Sequence, residues 1–210
     1  LAERLVTAAR RAGADAADAL AVRSVSLAVE VREGAVEESE RSEGDEVGLR
    51  VFVGRRQAVV SSNDVKADVA GLAERAVAMA RAAPEDPFAG LADPAKLARD
   101  IPDLDLLDPD LPSVTLLEER AKRAESAALA VKGVTKSGGA SASAGIGGMV
   151  LVTSQGFRGA YLNSGQSVSM TAIAGEGTAM ERDYDYSSAL HGADLDAPEK
   201  VGRSAGERTV

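Results

Sequence analysis

The sequence contains no cysteine, no tryptophan and a single histidine, His191. Without cysteine the chain can form no disulfide, no thiolate metal site and no cysteine nucleophile. A helical zinc-protease site needs two histidines four residues apart and a glutamate that acts as base, so one histidine cannot supply it. The 210 residues are still enough for one large domain or two small ones with a sizeable buried core.

Long apolar runs are also missing. No run approaches the roughly 18 to 20 residues needed to cross a bilayer, so we expect no membrane association. The opening stretch LAERLVTAARRAGADAADAL is typical of an amphipathic helix and lacks the apolar segment of a signal peptide. These features predict a cytoplasmic protein. Because helical patterns occur at both ends and the first residue is Leu1, we also expect the chain to be part of a longer protein.

Clustered basic residues and aromatic residues are scarce. The formal net charge is −9, and basic residues form only isolated pairs such as Arg55-Arg56 and Lys122-Arg123. Phosphate backbones are bound by clustered lysine and arginine, and single-stranded nucleic acid by stacked aromatic residues. With only three Phe and three Tyr in the chain, we expect no direct binding of nucleic acid.

Alternating apolar and polar residues in the first third of the chain predict an antiparallel meander. The alternation starts near Leu20 and resumes after Gly44-Asp45. A two-residue period marks a strand with one buried and one solvated face, and glycine-containing dipeptides favour tight turns. Turns are therefore predicted at Glu33-Gly34, Gly44-Asp45 and Gly54-Arg55, and they separate four strands.

Apolar residues at three- and four-residue spacing predict helices between and after these strands. The predicted helices span residues 1–12, a segment from the N-cap candidates Ser62-Asn63-Asp64 to about Ala83, and a segment from the capping box Thr115–Glu118 to Gly133. The later residues are typical of hairpins, with a turn at Gln155-Gly156. The sequence thus predicts an α+β fold, in which antiparallel or mixed sheets of hairpins are covered by a few amphipathic helices.

Six of the seven prolines lie in residues 84–112, which also contain the acidic run DIPDLDLLDPD. Three aspartates there are candidate calcium ligands: Asp103, Asp105 and Asp108. An EF-hand loop counted from Asp103 would need a glycine at its sixth position and a glutamate at its twelfth, where the chain has Asp108 and Val114. The composition favours an extended strap, with Leu104, Leu106 and Leu107 as its anchors.

The glycine-rich stretch SGGASASAGIGG covers residues 137–148. Phosphate-binding loops need the Walker pattern, or GxGxxG between a strand and a helix. A strand pattern follows this stretch instead, so we predict a hairpin whose backbone approaches a neighbour closely.

The segment MERDYDYSSALH, residues 180–191, carries more reactive side chains than any other stretch of this length. In a strand, alternate side chains fall on opposite faces. One face would carry the carboxylates of Glu181, Asp183 and Asp185. The other would carry Arg182, Tyr184 and Tyr186. Carboxylates on one face repel each other unless a cation, a helix N-terminus or a partner neutralises them, whereas arginine and tyrosine are frequent at interface hot spots. The alternative is a solvated sheet edge without binding function.

His191 follows this segment. A Ser-His-Asp triad is arithmetically possible, but the sequence has no GxSxG elbow, and a surface or interface histidine is the simpler interpretation. We therefore assign no catalytic and no metal-binding residue. The candidates for contact with substrate or partner are Glu181, Arg182, Asp183, Tyr184, Tyr186 and His191.

Several segments together resemble the PmbA (TldE) branch of the TldD/PmbA family. They are GLRVFVGRRQAVVSSNDV, APEDPFAGLAD, DLDLLDP, ERAKRAESAALA, VTSQGFRGAYLNS, MERDYDYS and APEKVGRSAGERT. The resemblance extends over essentially the whole chain, and its specificity comes from the order and spacing of the segments. It implies that residues 1–195 form an N-terminal α+β domain and that residues 196–210 begin a helix leading to a C-terminal domain absent from this chain.

The resemblance also implies a function. Members of the family are described as modulators of DNA gyrase and as two-subunit metalloproteases, heterodimers that degrade unfolded or flexible peptides. Their zinc is held by a His-Glu-x-x-x-His helix of the TldD-type subunit, a motif that this sequence lacks. We therefore expect no cofactor in this chain, zinc on a TldD-type partner (or a homodimer instead of a heterodimer), and no activity of the chain alone. The alternative is a non-enzymatic interaction protein that modulates DNA gyrase or a toxin–antitoxin system.

Overall fold

The computed structural model describes residues 1–66 and 68–210. Over these residues the chain divides into two compact units. The first unit comprises Leu1–Ser24, Gly44–Asp103 and Gly147–Leu162. The second unit comprises Val25–Glu43, Leu104–Ile146 and Asn163–Val210. Each unit has its own cluster of buried apolar side chains.

The described residues form a six-stranded antiparallel sheet and four α-helices, which confirms the predicted α+β class. The strands are β1 (Ala16–Arg32), β2 (Ala35–Val53), β3 (Arg56–Ser62), β4 (Val134–Thr153), β5 (Arg158–Ala174) and β6 (Glu181–Ala189), in the order β3-β2-β1-β4-β5-β6. The helices are α1 (Ala2–Arg11), α2 (Val69–Ala82), α3 (Val114–Leu129) and α4 (Pro198–Thr209). None of the described helices is both long and apolar enough to cross a membrane.

In the first unit, α1 and α2 pack together and α2 packs against β3. The alternation predicted for β2 is observed, because Val47, Leu49 and Val51 are buried in the core of this unit. Leu5 of α1 and Val77 of α2 belong to the same core. Burying side chains of this size contributes about 1.5–3 kcal/mol each, and this contribution holds the helices on the sheet.

In the second unit, α3 and α4 pack against each other and their small side chains cover one face of the sheet. Ala124 and Ala128 of α3 are fully buried, as are Met170 and Ala172 of β5. Gly202 of α4 lies so close to α3 that a Cβ atom there would collide with the carbonyl oxygen of Ala124. Small residues on both helices therefore permit this close approach.

The strands are longer and fewer than the sequence predicts. No turn forms at Gly44-Asp45, since β2 continues through both residues, and the first meander has three strands instead of four. The stretch 137–148 is part of β4 and is not a hairpin. Close backbone approach is nevertheless observed, because a Cβ atom at Gly145 would lie 2.9 Å from the carbonyl oxygen of Val25. Glycine within these strands thus provides space for a neighbouring backbone instead of a change of direction.

The turns at Glu33-Gly34, Gly54-Arg55 and Gln155-Gly156 are confirmed. Glu33 and Gly34 both have left-handed backbone conformations, with φ of 52° and 77°, as a two-residue hairpin turn between β1 and β2 requires. After the turn at Gln155-Gly156 the chain continues as one unbroken strand, β5, from Arg158 to Ala174.

Two predicted helix starts are wrong by a few residues. Helix α2 begins at Val69, and the carboxylate of Asp68 caps it by accepting a hydrogen bond from the N–H of Ala70 at 3.0 Å. Helix α3 begins at Val114, where the Ser113 hydroxyl accepts from the N–H of Leu116 at 3.2 Å. Several nearby polar residues could serve as N-cap, and the one whose oxygen reaches a free N–H of the first turn is selected.

Candidate substrate- and partner-contact site

The segment ERDYDYSSA forms β6, at one end of the strand order. It pairs antiparallel with β5, so that Glu181 lies opposite Ala174 and Ala189 lies opposite Gln166. The exposure of its side chains alternates: Asp183 and Asp185 are half-buried, whereas Arg182, Tyr184 and Tyr186 are exposed. The two faces inferred from the sequence are therefore present in the structure.

On the acidic face, α4 provides the cation that neutralises the carboxylates. One guanidinium nitrogen of Arg208 lies 3.4 Å from Asp183 Oδ1, and another lies 4.0 Å from Asp185 Oδ1. A hydrogen bond from Ser204 lowers the pKa of Asp185 below its ordinary value, and the N–H of Tyr186 and the positive charge of Arg208 act in the same direction. Arg208 of this chain therefore offsets the expected repulsion between Asp183 and Asp185. The third carboxylate, that of Glu181, is exposed.

On the opposite face, Tyr184 and Tyr186 form an exposed aromatic pair. Their rings stack with centroids 6.5 Å apart and an interplanar angle of 21°. The two residues are 57% and 60% exposed, and Arg182 on the same face is also exposed. Stacked rings with free outer surfaces and polar hydroxyls are suited to contact with a peptide or a protein surface.

This face continues onto the neighbouring strands as a row of hydroxyl groups. In β5, Val168, Met170 and Ala172 point into the core, whereas the residues between them are half-buried. Hydroxyls pair between β4 and β5, with Ser141 and Ser169 Oγ atoms 2.9 Å apart and Ser143 and Ser167 Oγ atoms 2.8 Å apart. Ser169 lies opposite Tyr186 and Thr171 opposite Tyr184. We call this surface the hydroxyl face: Ser141, Ser143, Ser167, Ser169, Thr171, Tyr184 and Tyr186.

His191 contacts the strap at Asp105. Its Nε2 atom lies 2.8 Å from the carbonyl oxygen of Asp105 and 3.5 Å from Asp105 Oδ1. The hydrogen bond with the Asp105 carbonyl raises the pKa of His191 above its ordinary value, and the carboxylates of Asp105, Asp108 and Asp194 raise it further.

Leu104, predicted as a strap anchor, is 61% exposed and does not anchor the segment, whereas Leu106 and Leu107 are partly buried.

Asp108 attaches the strap to Gln166 and Gly192, a role that sequence reasoning missed. Its Oδ2 atom accepts hydrogen bonds from Gln166 Nε2 at 2.9 Å and from the N–H of Gly192 at 2.7 Å, and its Oδ1 atom accepts from the N–H of Asp110 at 2.9 Å. The N–H of Gly192, followed by that of Asp110, lowers the pKa of Asp108. No sequence signal reveals this attachment, because Gln166 lies 58 positions away.

Ser164 joins the same buried cluster. Its hydroxyl accepts from the N–H of Asp108 at 2.7 Å and donates to the carbonyl oxygen of Leu190 at 2.8 Å. The N–H of Ser164 also donates to the carbonyl oxygen of Leu106 at 2.9 Å. Arg120 Nη1 donates to Gln166 Oε1 at 2.8 Å. The strap is therefore held by a connected set of hydrogen bonds that a calcium site would have to disrupt.

The described residues do not fit a catalytic metal centre. Among them, no three His, Cys, Asp or Glu side chains lie close enough together to hold an ion. The oxygens of Asp108 already accept from three protein donors, and those of Asp183 and Asp185 face Arg208. No step of a metal-dependent reaction can be derived from this arrangement.

Comparisons with known proteins agree with the resemblance found in the sequence. Residues 107–210 match the family model for the PmbA/TldA metallopeptidase central domain, and residues 17–80 match the one for PmbA/TldA metallopeptidase domain 1. Metalloprotease PmbA of Escherichia coli O157:H7 is 36% identical over 198 residues, covering 93% of this chain and 44% of that protein. The Metalloprotease PmbA homolog of Haemophilus influenzae is 33% identical over 208 residues, covering 98% and 46%. This chain therefore spans a little less than half the length of the curated relatives it matches.

Solved structures show the same fold. A putative modulator of DNA gyrase from Bacteroides thetaiotaomicron superposes with a TM-score of 0.90 at 25% identity, over 99% of this chain and 48% of that one. TldE from Thermococcus kodakarensis superposes with a TM-score of 0.78 at 16% identity, over 99% and 46%, and supports the fold alone. With both matched domains and both curated relatives in agreement, this chain belongs to the PmbA/TldD family of metallopeptidases.

Proposed function

We propose that this chain is a subunit of a cytoplasmic, two-component metalloprotease of the TldD/TldE type that degrades unfolded or flexible peptides. In this proposal the chain shapes the substrate cleft and binds the partner, and a TldD-type partner holds the zinc. The observation that carries the proposal is the hydroxyl face, where two exposed, stacked tyrosines adjoin paired serine hydroxyls. The names of the curated relatives support the protease class.

The chemistry of the hydroxyl face suits substrates without a fixed sequence. A hydroxyl group both donates and accepts hydrogen bonds, and every peptide offers the same backbone N–H and C=O groups. The rings of Tyr184 and Tyr186 add apolar surface for side chains of many kinds. Such a surface binds extended peptides with little preference for sequence, as degradation of unfolded chains requires.

The described side chains of this chain favour a division of labour, in which this chain binds peptide and another chain holds the zinc. A catalytic zinc site uses three protein ligands and keeps one position open for water. The described residues contain no such group, so in our proposal the hydrolytic water is activated on the partner. Arg182, Tyr184 and Tyr186 would be the contact residues of this chain.

Peptide cleavage by reconstituted mixtures tests this proposal. An unfolded casein peptide is incubated with this chain, with a TldD-type partner, and with both, each with and without a zinc chelator. We expect efficient cleavage only by the mixture, and its loss with the chelator. Cleavage by this chain alone that survives the chelator would disprove the division of labour.

The second candidate is a non-enzymatic interaction protein acting on DNA gyrase or on a toxin–antitoxin system. It is favoured by the description of the Bacteroides thetaiotaomicron relative as a putative modulator of DNA gyrase. This candidate predicts binding without peptide cleavage even when a TldD-type partner is present. Isolating the partner bound to the chain and measuring the zinc content of the complex separates the two candidates.

A further inference from the structure

Among the strands that the structure describes, β6 lies at one end of the strand order and has β5 as its only neighbour. The outer edge of such a strand has unpaired N–H and C=O groups, which can accept an additional strand from a peptide or another subunit. For a protein proposed to hold extended peptides, strand addition to β6 would be the simplest binding mode.

Two hydrogen bonds between backbone N–H groups and side chains of β6 itself disfavour strand addition. The N–H of Tyr184 donates to Asp183 Oδ1 at 2.7 Å, and the N–H of Tyr186 donates to Asp185 Oδ1 at 2.8 Å. In a strand, the N–H groups of alternate residues point to the same side, so both lie on one edge of β6. Because N–H groups that face β5 are used by the sheet itself, these two belong to the outer edge.

The capping carboxylates are themselves held by α4. Arg208 lies within 4.0 Å of both, and Ser204 provides a hydrogen bond to Asp185. An added strand would therefore have to break two charge-assisted hydrogen bonds and displace both side chains from their contacts with the helix. The hydroxyl face requires no such displacement.

We propose that Asp183 and Asp185 cap the outer edge of β6, so that an extended peptide binds across the hydroxyl face and does not extend the sheet. This inference rests on the proposed function only for the identity of the ligand, an unfolded peptide. Capping of the edge is a property of the chain itself and is measured without partner or protease activity.

Amide hydrogen exchange of β6, followed by NMR, tests the capping. Replacing both aspartates by alanine (D183A/D185A) removes the acceptors, and we expect the Tyr184 and Tyr186 amides to exchange about tenfold faster, as loss of an ordinary hydrogen bond allows. The variant D183N/D185N keeps an acceptor oxygen at each position and is expected to retain most of the protection. Glu181→Ala on the same face is the matched control, since it leaves both caps in place. Unchanged exchange at these two amides in D183A/D185A would overturn the proposal.

The binding mode is tested on the same amides with the casein peptide as probe. By their spacing, the Arg182 and Ser188 N–H groups lie on the same outer edge as those of Tyr184 and Tyr186. If the peptide lies on the hydroxyl face, its addition leaves the exchange of Arg182 and Ser188 unchanged, and Tyr184→Ala weakens its binding. Protection of those two amides by the peptide would show strand addition and refute the face-binding mode. Neither result of this exchange experiment decides the outcome of the cleavage test, so the binding mode and the proposed function are tested separately.

Discussion

The Oε2 atom of Glu125, buried on α3, lies 2.7 Å from the backbone nitrogen of Gly34 in the turn between β1 and β2. Its Oε1 atom accepts from the N–H of Glu33 at 2.8 Å. One carboxylate thus satisfies both N–H groups of a turn whose residues have positive φ. The turn between β1 and β2 is therefore held by a side chain of α3 that lies 91 positions from Gly34 in the sequence.

Replacing Glu125 by alanine should destabilise the protein. Hydrogen bonds to charged groups contribute roughly 1.5–3 kcal/mol each, and the exposed turn can recover part of this from water, so we expect a net loss of about 2 kcal/mol. The free energy of unfolding in urea measures it. Glu119→Ala, on the exposed side of the same helix, is the control and should change stability by less than about 0.5 kcal/mol. Equal effects of the two variants would contradict the role given to Glu125.

Gly202→Ala should separate α3 from α4. The added methyl group would collide with the Ala124 carbonyl oxygen, and overpacking of this kind costs about 1–3 kcal/mol, although alanine gains up to about 1 kcal/mol in helix propensity. We expect a net loss of roughly 1–2 kcal/mol in urea unfolding. Gly165→Ala is the control, because a Cβ atom there meets nothing within 4 Å. A Gly202→Ala variant as stable as the control would contradict the close packing.

Docking of the strap should weaken as pH rises above the ordinary pKa of His191. The pKa of His191 is raised in the folded chain by its bond to the Asp105 carbonyl, with the nearby carboxylates adding to the effect. The stabilisation is therefore complete below pH 6.5, the value for an unperturbed histidine, and is lost as pH rises through the higher folded value. Hydrogen exchange of residues 104–112, corrected for the intrinsic rate, should increase across this interval. His191→Gln should remove the pH dependence, and its persistence would exclude His191 as the cause.

Asp108 should stabilise the docked strap at neutral pH, and this stabilisation should be lost as the pH falls into the acid range. Its pKa is lowered by the N–H of Gly192 and then by that of Asp110, so its stabilisation is present above pH 3.8 and is lost as pH falls through the lower folded value. Asp108→Asn places an amide NH₂ near donors and should increase exchange of the strap at neutral pH. Asp110→Asn, which leaves the backbone N–H in place, is the control. A strap equally protected in Asp108→Asn and in wild type would contradict this attachment.

Under the proposed function, removing the aromatic pair should impair peptide turnover by the mixture of this chain and a TldD-type partner. Hot-spot aromatic residues commonly contribute more than 1 kcal/mol each, so Y184A/Y186A should reduce kcat/KM for the casein peptide about tenfold or more. The third tyrosine, Tyr161, is 51% exposed in the first unit and serves as the control, with an expected change below about twofold. Comparable losses in both variants would show that the effect is not specific to the hydroxyl face.

The two faces of β6 illustrate how far the candidate site can be predicted. The period of two separates Asp183 and Asp185 from Tyr184 and Tyr186 in the sequence, and the structure has the same separation. The position of Arg208 against the carboxylates could not be predicted, because it depends on how α4 packs on β6. The assignment of these residues to substrate or partner contact stays a prediction.

The sequence by itself determined the α+β class, the family, and the lack of thiols and of a second imidazole, because residue type and short-range periodicity carry this information. It did not determine which glycines turn the chain, since Gly44 and Gly138 lie within strands whereas Gly34 forms a turn. It also did not reveal the partners of Asp108 and Glu125. Only the tertiary structure decided these points, because they depend on contacts between residues tens of positions apart, where local conformational preference has no influence.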